Sequence, residues 1–356
     1  MNEHAPGRFL LGRSVEVIRS AQAPSGGYVA APTYATYRYV WVRDGSFIAE
    51  AMRTLGHEDS SVHFHSFVAE AVLRVAQATG SDAALLPARF LPDGSLDQSD
   101  WPNFQLDGYG LWLWSLERHP AAHSERILRA AEFAAKYLSR HWRDPCHDPW
   151  EEGGHDRPTS TLMAVMAGLG AANRLLGPGP WQDALTQSWD ELWHGGVVNG
   201  YLTKNLGDPE GVDAATLWAI APLGVFPPDD PVALATVGVV EERLGAPGVH
   251  RHLEDTYYGG GAWPVLSALW GLARLKNGDR AAAERALAWI ESVATPSGDL
   301  PEQTPEALLA PAHRSIWEKD RGPVATPLIW SHAMYLLLMD AVRGYPIRAE
   351  GSATRS

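Results

Sequence analysis

The chain has 356 residues and a formal net charge of -13 at pH 7. This acidic balance excludes proteins that bind a nucleic-acid backbone, because phosphate binding needs a clustered basic surface. Hydrophobic residues make up 45% of the chain and charged residues 20%, which is the composition of a folded globular protein and excludes extensive disorder. The 15 tryptophans favour a ligand with flat apolar faces, such as a sugar, because an indole ring stacks while its N–H stays available.

The cysteine count and the first residues of the chain indicate its cellular location. Cys146 is the only cysteine, so no intrachain disulfide is possible and an oxidising compartment is not indicated. The segment from Met1 to Leu11 lacks the charged and apolar regions of a signal peptide. No apolar stretch reaches membrane-spanning length. These observations predict a cytoplasmic protein that has neither a membrane nor a nucleic acid as a partner.

Apolar periodicity and capping signals predict about twelve helices, and strand-like alternation is scarce. Asp230 before Pro231 is expected to cap one helix, and Asp279 after Gly278 is expected to cap another. In chain order, the approximate spans are 7–22, 44–55, 58–79, 107–118, 122–142, 159–176, 181–194, 213–223, 231–244, 263–276, 279–294 and 326–343.

Every second helix begins after a similar interval, near residues 44, 107, 159, 213, 263 and 326. A helical hairpin therefore recurs six times, as an open solenoid or as a closed (α/α)6 barrel of inner and outer helices. Closure is favoured because the loops before these helices hold the unusual aromatic and charged residues and would line one pocket. The sequence thus predicts an all-α (α/α)6 barrel in a single catalytic domain, 1–345, followed by a flexible tail, 346–356.

Two of these loops end on an aspartate that is placed to cap the next helix. The first runs from Tyr37 to Asp44 and the second from Trp101 to Gly108, where Asp107 is expected to be a cap rather than a ligand. A structural ion pair between Arg43 and Asp44 is an equally simple interpretation of the first loop. The functional interpretation depends on both loops facing the same pocket.

Three further loops carry carboxylates or glycines. Glu151 and Glu152 are adjacent, so their side chains point apart and one can face a ligand while the other serves a neighbouring group. The run Gly259-Gly260-Gly261 is expected to let the backbone approach a ligand. Glu302 and Gln303 follow a proline at the start of a long loop.

Taken in order, five motifs resemble the catalytic domains of glycoside hydrolase family 15, the glucoamylases and their relatives. They are Tyr-x-Tyr-x-Trp-x-Arg-Asp at 37–44, Trp-Glu-Glu at 150–152, Arg-x-x-Glu-Asp-Thr-Tyr-Tyr at 251–258, Glu302-Gln303 and Trp330-Ser331. The resemblance covers residues from about 30 to 340. It implies the same (α/α)6 barrel and an exo-acting α-glucosidase that inverts the anomeric configuration.

The resemblance also implies roles for individual residues. Glu151 matches the general acid, Glu302 the general base, and Tyr37 a tyrosine that supports the base and its water. A further set matches residues that bind the substrate: Trp41, Arg43, Asp44, Trp101, Trp150, Glu152, Arg251, Tyr257, Trp263, Gln303 and Trp330.

No metal or other cofactor is expected. His63 and His65 are two residues apart in a predicted helix, so they point to different faces. The glycine run at 259–261 lacks the preceding strand of a dinucleotide-binding motif, and no P-loop motif occurs.

The expected substrate is a small α-glucoside. A short α-1,6 glucoside of the isomaltose type is favoured, with release of β-glucose from the non-reducing end by a monomeric enzyme. Two alternatives within the family are an α-1,4-specific glucoamylase and a trehalase, which would share all these residues. A non-catalytic glucan-sensing module is the alternative of a different class, and the presence of both Glu151 and Glu302 argues against it.

Overall fold

The computed structural model describes residues 6–79 and 85–344, and these residues contain twelve α-helices. The tail predicted for 346–356 and the outermost residues of the predicted domain lie outside the described residues. Five helices lie in an inner ring: α2 (Val42–Thr54), α4 (Asp107–Glu117), α6 (Thr159–Leu176), α9 (Pro264–Lys276) and α12 (Ile329–Gly344). Six lie outside it: α1 (Pro6–Ala21), α3 (Glu58–Thr79), α5 (Glu125–His141), α7 (Trp181–Glu191), α8 (Pro231–Leu244) and α10 (Arg280–Ser292).

The inner helices form a closed ring. α2 packs on α4, α4 on α6, α6 on the 3-10 helix Ala214–Ala219, this helix on α9, α9 on α12, and α12 again on α2. The outer helices cover the joints between them, for example α3 against α2 and α10 against both α9 and α12. The predicted (α/α)6 barrel is therefore confirmed.

Residue composition explains which helices lie inside. Ten of the eleven residues of α4 are buried, from Asp107 to Leu116, because a helix that is apolar all round must be surrounded by protein. α5 instead buries one stripe, which includes Ile127, Ala130, Ala134 and Leu138. The other face of α5 carries charged residues and faces solvent.

The first and last helices of the described chain meet where α1 packs on α12. Ser14 Oγ of α1 lies 2.9 Å from His332 Nδ1 of α12. His332 Nε2 accepts a hydrogen bond of 3.0 Å from the Leu300 amide, so it lacks a proton on that nitrogen. Burial lowers the pKa of His332 to about 3, which keeps the ring neutral and able to accept this bond.

The short elements differ from the prediction in three ways. The helix expected at 213–223 is a shorter 3-10 helix, Ala214–Ala219, and it ends before Pro222, which has no amide hydrogen with which to continue a helix. The long loop before α12 contains an additional helix, α11 (Arg314–Arg321). Two-residue strands form two antiparallel pairs: β1 (Val40–Trp41) with β2 (Arg89–Phe90), and β3 (Val197–Val198) with β4 (Tyr201–Leu202).

The capping predictions have mixed outcomes. Asp230 and Asp279 accept hydrogen bonds from the amides of Val232 and Ala282, so both are helix caps as predicted. The caps expected at the first two loops are wrong: Trp41 and Leu106 occupy those positions, and neither makes a side-chain capping bond. Asp44 and Asp107 lie within the first turns, where they are free to pair with Arg43.

Among the described residues, no helix combines the length and apolar character needed to cross a membrane.

Close approach of α4 and α6 depends on two glycines. A Cβ atom on Gly110 would lie 2.3 Å from the Ala164 carbonyl oxygen, and a Cβ atom on Gly168 would lie 2.5 Å from the Gly110 Cα. Since both neighbours are backbone atoms, a side chain at either position would force the two inner helices apart.

We therefore expect Gly110→Ala to lower the free energy of unfolding by about 1–3 kcal/mol, the usual cost of overpacking. Gly238→Ala in α8 is the matched control, because no atom lies within 4 Å of its added Cβ. It should raise the free energy of unfolding by about 0.5–1 kcal/mol through helix propensity. Urea unfolding of both variants tests this, and equal midpoints for Gly110→Ala and the parent would contradict it.

Candidate active site

The loops before the inner helices meet at one end of the barrel and line a cavity of about 410 Å³. All the site residues proposed from the sequence except Gln303 line it: Tyr37, Trp41, Arg43, Asp44, Trp101, Trp150, Glu151, Glu152, Arg251, Tyr257, Trp263, Glu302 and Trp330. The structure therefore brings together residues from five separate loops.

A buried ion pair lies in the cavity wall. Arg43 Nε lies 3.4 Å from Asp44 Oδ2, and Arg43 Nη1 donates to Gln105 Oε1 at 2.7 Å and to Asp107 Oδ2 at 3.3 Å. Desolvation raises the pKa of Asp44 to about 6, although the charge of Arg43 opposes this. Arg43 Nε and Asp44 Oδ2 lack a hydrogen-bond partner among the described residues. Ligand hydroxyls are groups that satisfy both a donor and an acceptor of this kind.

The tryptophans of the wall add unpaired donors. Within the described chain, the indole N–H groups of Trp101, Trp263 and Trp330 are buried without a hydrogen-bond acceptor. The ring of Trp330 stacks on Phe47, with 5.6 Å between centroids. Flat rings that also offer N–H donors suit a ligand with apolar faces and hydroxyl edges.

Glu151 is bound by neutral donors. Its Oε1 accepts hydrogen bonds from Trp41 Nε1 at 2.6 Å and from Gln105 Nε2 at 3.1 Å. Both bonds use the same oxygen, which leaves Oε2 for a proton or a ligand. The arrangement suits a carboxyl group that must be able to carry and release a proton.

The turn that carries Glu151 is built on a buried aspartate. Asp148 Oδ1 accepts from the amides of Trp150 and Glu152, at 3.0 and 2.8 Å. Glu151 has a φ of +68°, a left-handed backbone conformation that is rare for residues with a side chain. Such a residue costs about 1–3 kcal/mol and persists only where its surroundings fix it. Asp148 was not singled out by the sequence analysis.

Glu302 is enclosed and faces phenols. It is 2% exposed, and Tyr257 donates to its Oε2 at 3.3 Å, while the Tyr37 and Tyr257 hydroxyls lie 2.6 Å apart. Desolvation raises the pKa of Glu302 to about 8, against the opposing effects of Tyr37, Arg251 and Tyr257. The carboxyl group is therefore a stronger base than an exposed glutamate.

Arg251 is the second buried cation of the site. It pairs with Asp255 through Nε and Nη2, and Nη2 also donates to Glu152 Oε1 at 3.1 Å. The other oxygen of Glu152 lies 3.0 Å from His252 Nε2. Desolvation opposes ionisation of Glu152, but His252 and Arg251 outweigh it and hold its pKa at about 2. The guanidinium also lies between 5 and 6 Å from three ring centroids, those of Trp150, Tyr257 and Trp263.

Some of these residues also form a cluster of potential metal ligands. Among the described residues, Glu152, His252 and Asp255 each offer one ligand atom, and these three atoms lie within 4.8 Å of one another. Arg251 already donates to both carboxylates. A metal ion would have to displace this buried guanidinium, so the cluster is built around an organic cation.

Two expectations for the remaining loops need correction. Gln303 does not line the cavity: its Oε1 accepts from the Gly261 amide at 2.7 Å and its Nε2 donates to the Tyr257 carbonyl at 3.0 Å. The glycine run does not admit a ligand either, because a Cβ atom on Gly261 would lie 2.1 Å from the Thr304 carbonyl oxygen. The backbone that approaches these glycines belongs to the protein itself.

The comparisons with known proteins agree with this geometry. The sequence model described as Glycosyl hydrolases family 15 matches residues 7–295. The chain belongs to glycosyl hydrolase family 15. An isomaltose glucohydrolase of Kribbella flavida is 41% identical over 358 residues, which cover 94% of this chain and 92% of the relative. A trehalase of Mycobacterium tuberculosis is 26% identical over 68% of this chain and 42% of its own length.

Solved structures support the same family. A glycosidase variant in complex with glucose matches with a TM-score of 0.88 and 40% identity, covering 97% of this chain and all of that chain. A bacterial glucoamylase complexed with acarbose matches with a TM-score of 0.71 and 21% identity, over 94% of this chain and 55% of that chain. The second likeness concerns the fold alone.

Besides Asp148, three residues of this family 15 enzyme were missed from the sequence. Gln105 bridges Arg43 and Glu151, and its position in the Trp101–Gly108 loop is a signal that could have indicated it. Arg89 lies with its guanidinium carbon 3.8 Å from the ring centroids of both Tyr39 and Trp101. Nothing local marks Arg89, because only the pairing of β1 with β2 brings it there. Trp317 lines the cavity from α11, which was expected to be a loop.

The free energy of unfolding of this family 15 enzyme should depend on the protonation of the buried Glu302 carboxyl group. Because the pKa of Glu302 is about 8 in the folded chain and 4.5 is its reference value, the folded state binds this proton more tightly. Its contribution to the free energy of unfolding is complete below the reference value and is lost as pH rises through about 8. Glu302→Gln does not titrate, so its melting temperature should rise relative to the parent between about pH 5 and pH 9.

Glu306→Gln is the matched control, since Glu306 lies exposed on the same segment. A melting-temperature difference for Glu302→Gln that is the same at both pH values would contradict the raised pKa.

Proposed function

We propose that this family 15 enzyme is an inverting, exo-acting α-glucosidase that hydrolyses short α-1,6-linked glucosides such as isomaltose. The observation that carries the proposal is the pair of carboxyl groups, Glu151 and Glu302, in one cavity with the buried pair Arg43 and Asp44. Similarity to the isomaltose glucohydrolase over nearly the whole of both chains supports the linkage.

In this mechanism Glu151 is the general acid. It gives its proton to the glycosidic oxygen as the bond between that oxygen and the anomeric carbon breaks. The bonds from Trp41 and Gln105 fix the carboxyl group through Oε1. Since both donors are neutral, they orient the group without adding a positive charge beside it.

Glu302 is the general base in the same proposal. It takes a proton from a water molecule while the water oxygen bonds to the anomeric carbon from the opposite face, so β-glucose is released. After one turnover Glu302 carries a proton and Glu151 has lost one, and exchange with solvent restores both. The contact of Glu302 with Tyr257, and of Tyr257 with Tyr37, supports a role for the phenols in orienting base and water.

Arg43 and Asp44 are proposed to bind hydroxyls of the glucose at the non-reducing end. Both are almost fully buried, and Arg43 Nε and Asp44 Oδ2 have no hydrogen-bond partner among the described residues, so a chain end that supplies hydroxyls relieves an unfavourable burial. Recognition of a chain end at a buried position is what makes such an enzyme exo-acting.

Linkage preference is proposed to involve Glu152. The residue is fixed by Arg251 and His252 and is held ionised, which suits a hydrogen-bond acceptor for the leaving-group sugar. Relatives of this chain include trehalases and a glucoamylase, so trehalose and maltose are the alternatives to test.

We also propose that the enzyme acts as a monomer in the cytoplasm. The closed ring of inner helices buries its own core, which removes the need for a partner chain. Size-exclusion chromatography with light scattering tests the first statement, and fractionation of expressing cells tests the second. A stable dimer or a secreted enzyme would contradict them.

Substrate profiling is the direct test of the proposed reaction. We expect isomaltose to be hydrolysed with kcat/KM at least about 10-fold above maltose, maltotetraose and trehalose. This factor corresponds to about 1.4 kcal/mol of additional transition-state binding. NMR of the first product should show β-glucose. Initial release of α-glucose would contradict inversion, and a preference for trehalose would change the assigned substrate.

Two variants separate the roles of the carboxyl groups. Glu151→Gln should lower kcat on isomaltose by about 100-fold or more and affect α-glucosyl fluoride far less, because fluoride leaves without a general acid. Glu302→Gln should lower kcat on both substrates by about 100-fold or more, since both need an activated water. Glu306→Gln is the control. The assignment fails if either variant keeps turnover of isomaltose within about tenfold of the parent.

A further inference from the structure

The cavity differs in exposure between its two ends. Arg43, Asp44, Glu302 and Trp330 are between 2% and 6% exposed, so they lie at the closed end. Some of the other lining residues are exposed or half-buried and form the rim, among them Asp100, Trp317 and Arg321. Under the proposed exo-action the terminal glucose occupies the closed end, so the group linked to it can contact only the residues nearer the rim.

One side of the rim is formed by α11. The ring of Trp317 packs edge-on against Tyr257, with 4.9 Å between centroids, and stacks at 6.0 Å on Tyr258. Tyr258 also donates to the Gly322 carbonyl at 2.8 Å, directly after the helix. α11 is therefore fixed to the segment that supplies Tyr257 to the cavity.

The segment leading to α11 is bound through its backbone. The amide of Ala310 donates to the Gly259 carbonyl at 2.9 Å, and the amide of Thr304 donates to the Ala262 carbonyl at 2.9 Å. Side chains at the intervening glycines would block this contact, as described for Gly261. Backbone hydrogen bonds to the 259–262 segment therefore help to fix α11 at the rim of the cavity.

Two side chains of α11 offer sugar-binding groups at the rim. The side chain of Arg321 is exposed and makes no hydrogen bond or ion pair with another residue in the part of the chain that the structure describes. Its guanidinium therefore has all its N–H donors available for hydroxyl groups. Trp317 is half-buried, so part of its flat aromatic ring remains accessible at the rim. Such surfaces bind the apolar face of a pyranose.

We propose that α11 forms the binding site for the leaving-group sugar, with Trp317 packing on the ring and Arg321 donating to its hydroxyls. This inference rests on the proposed function. It assigns the selection of a sugar leaving group to a helix that lies outside both the inner and the outer ring, in addition to Glu152.

The test compares two substrates that share the terminal glucose. One is the disaccharide that the parent enzyme hydrolyses best, and the other is α-glucosyl fluoride, which has no leaving-group sugar. Trp317→Ala and Arg321→Ala should each lower kcat/KM for the disaccharide by about 10-fold or more, mainly through KM, and should leave the fluoride within about threefold. Ile316→Ala is the matched control, because Ile316 lies on the same helix, is 54% exposed and does not line the cavity.

Equal losses on both substrates would overturn the proposal, because they would mean that α11 only supports Tyr257 and Glu302. Unchanged kcat/KM for the disaccharide in Arg321→Ala and Trp317→Ala would overturn it as well. Arg321 is exposed, so Arg321→Ala tests the idea even if Trp317→Ala does not fold. Failure of the parent enzyme to hydrolyse either substrate would instead count against the proposed function.

Discussion

Two buried arginines hold the wall of the cavity together, because each pairs with carboxylates from separate elements of the chain. Arg43 connects the first turn of α2 to Asp107 at the start of α4, and Arg251 connects the loop before α9 to Glu152 before α6. Breaking such a pair leaves an uncompensated buried charge, which is strongly unfavourable. Glu302 differs from these carboxylates, since burial dominates its pKa and phenols provide its hydrogen bond. The fixed charges therefore hold the site while the protonation of Glu302 responds to pH.

Much of the fold was predictable because its signals are local. Helix starts recur at similar intervals, and the loops before every second helix hold the unusual aromatic and charged residues, so the spacing along the chain indicated two concentric rings. The short elements were not predictable. The eight residues of α11 are all exposed or half-buried, and the helix is fixed by Tyr257, Tyr258 and a backbone contact to distant glycines. Such docking leaves no periodic pattern in the sequence.

From the residues themselves the candidate site was predictable as a set of loops, whereas the expected roles came only from the family resemblance. Glu151 and Glu152 are adjacent and chemically identical, and only the folded backbone directs the first to Trp41 and the second to Arg251. The glycines after Tyr258 were read as an opening for a ligand, because a sequence shows that backbone can approach but not which backbone does. Arg89 illustrates the same limit, since strand pairing alone brings it beside Trp101.

At Glu151 the requirements of stability and of the proposed reaction conflict, because the carboxyl group is carried by a residue with a strained left-handed backbone. Glycine adopts that conformation without strain, so a substitution to glycine would relax the turn above Asp148 and remove the carboxyl group at once. Under the proposed role of Glu151 as general acid, libraries selected only for heat resistance would enrich an inactive protein at residue 151. Stabilising substitutions are better sought on the outer helices, which supply none of the residues that line the cavity.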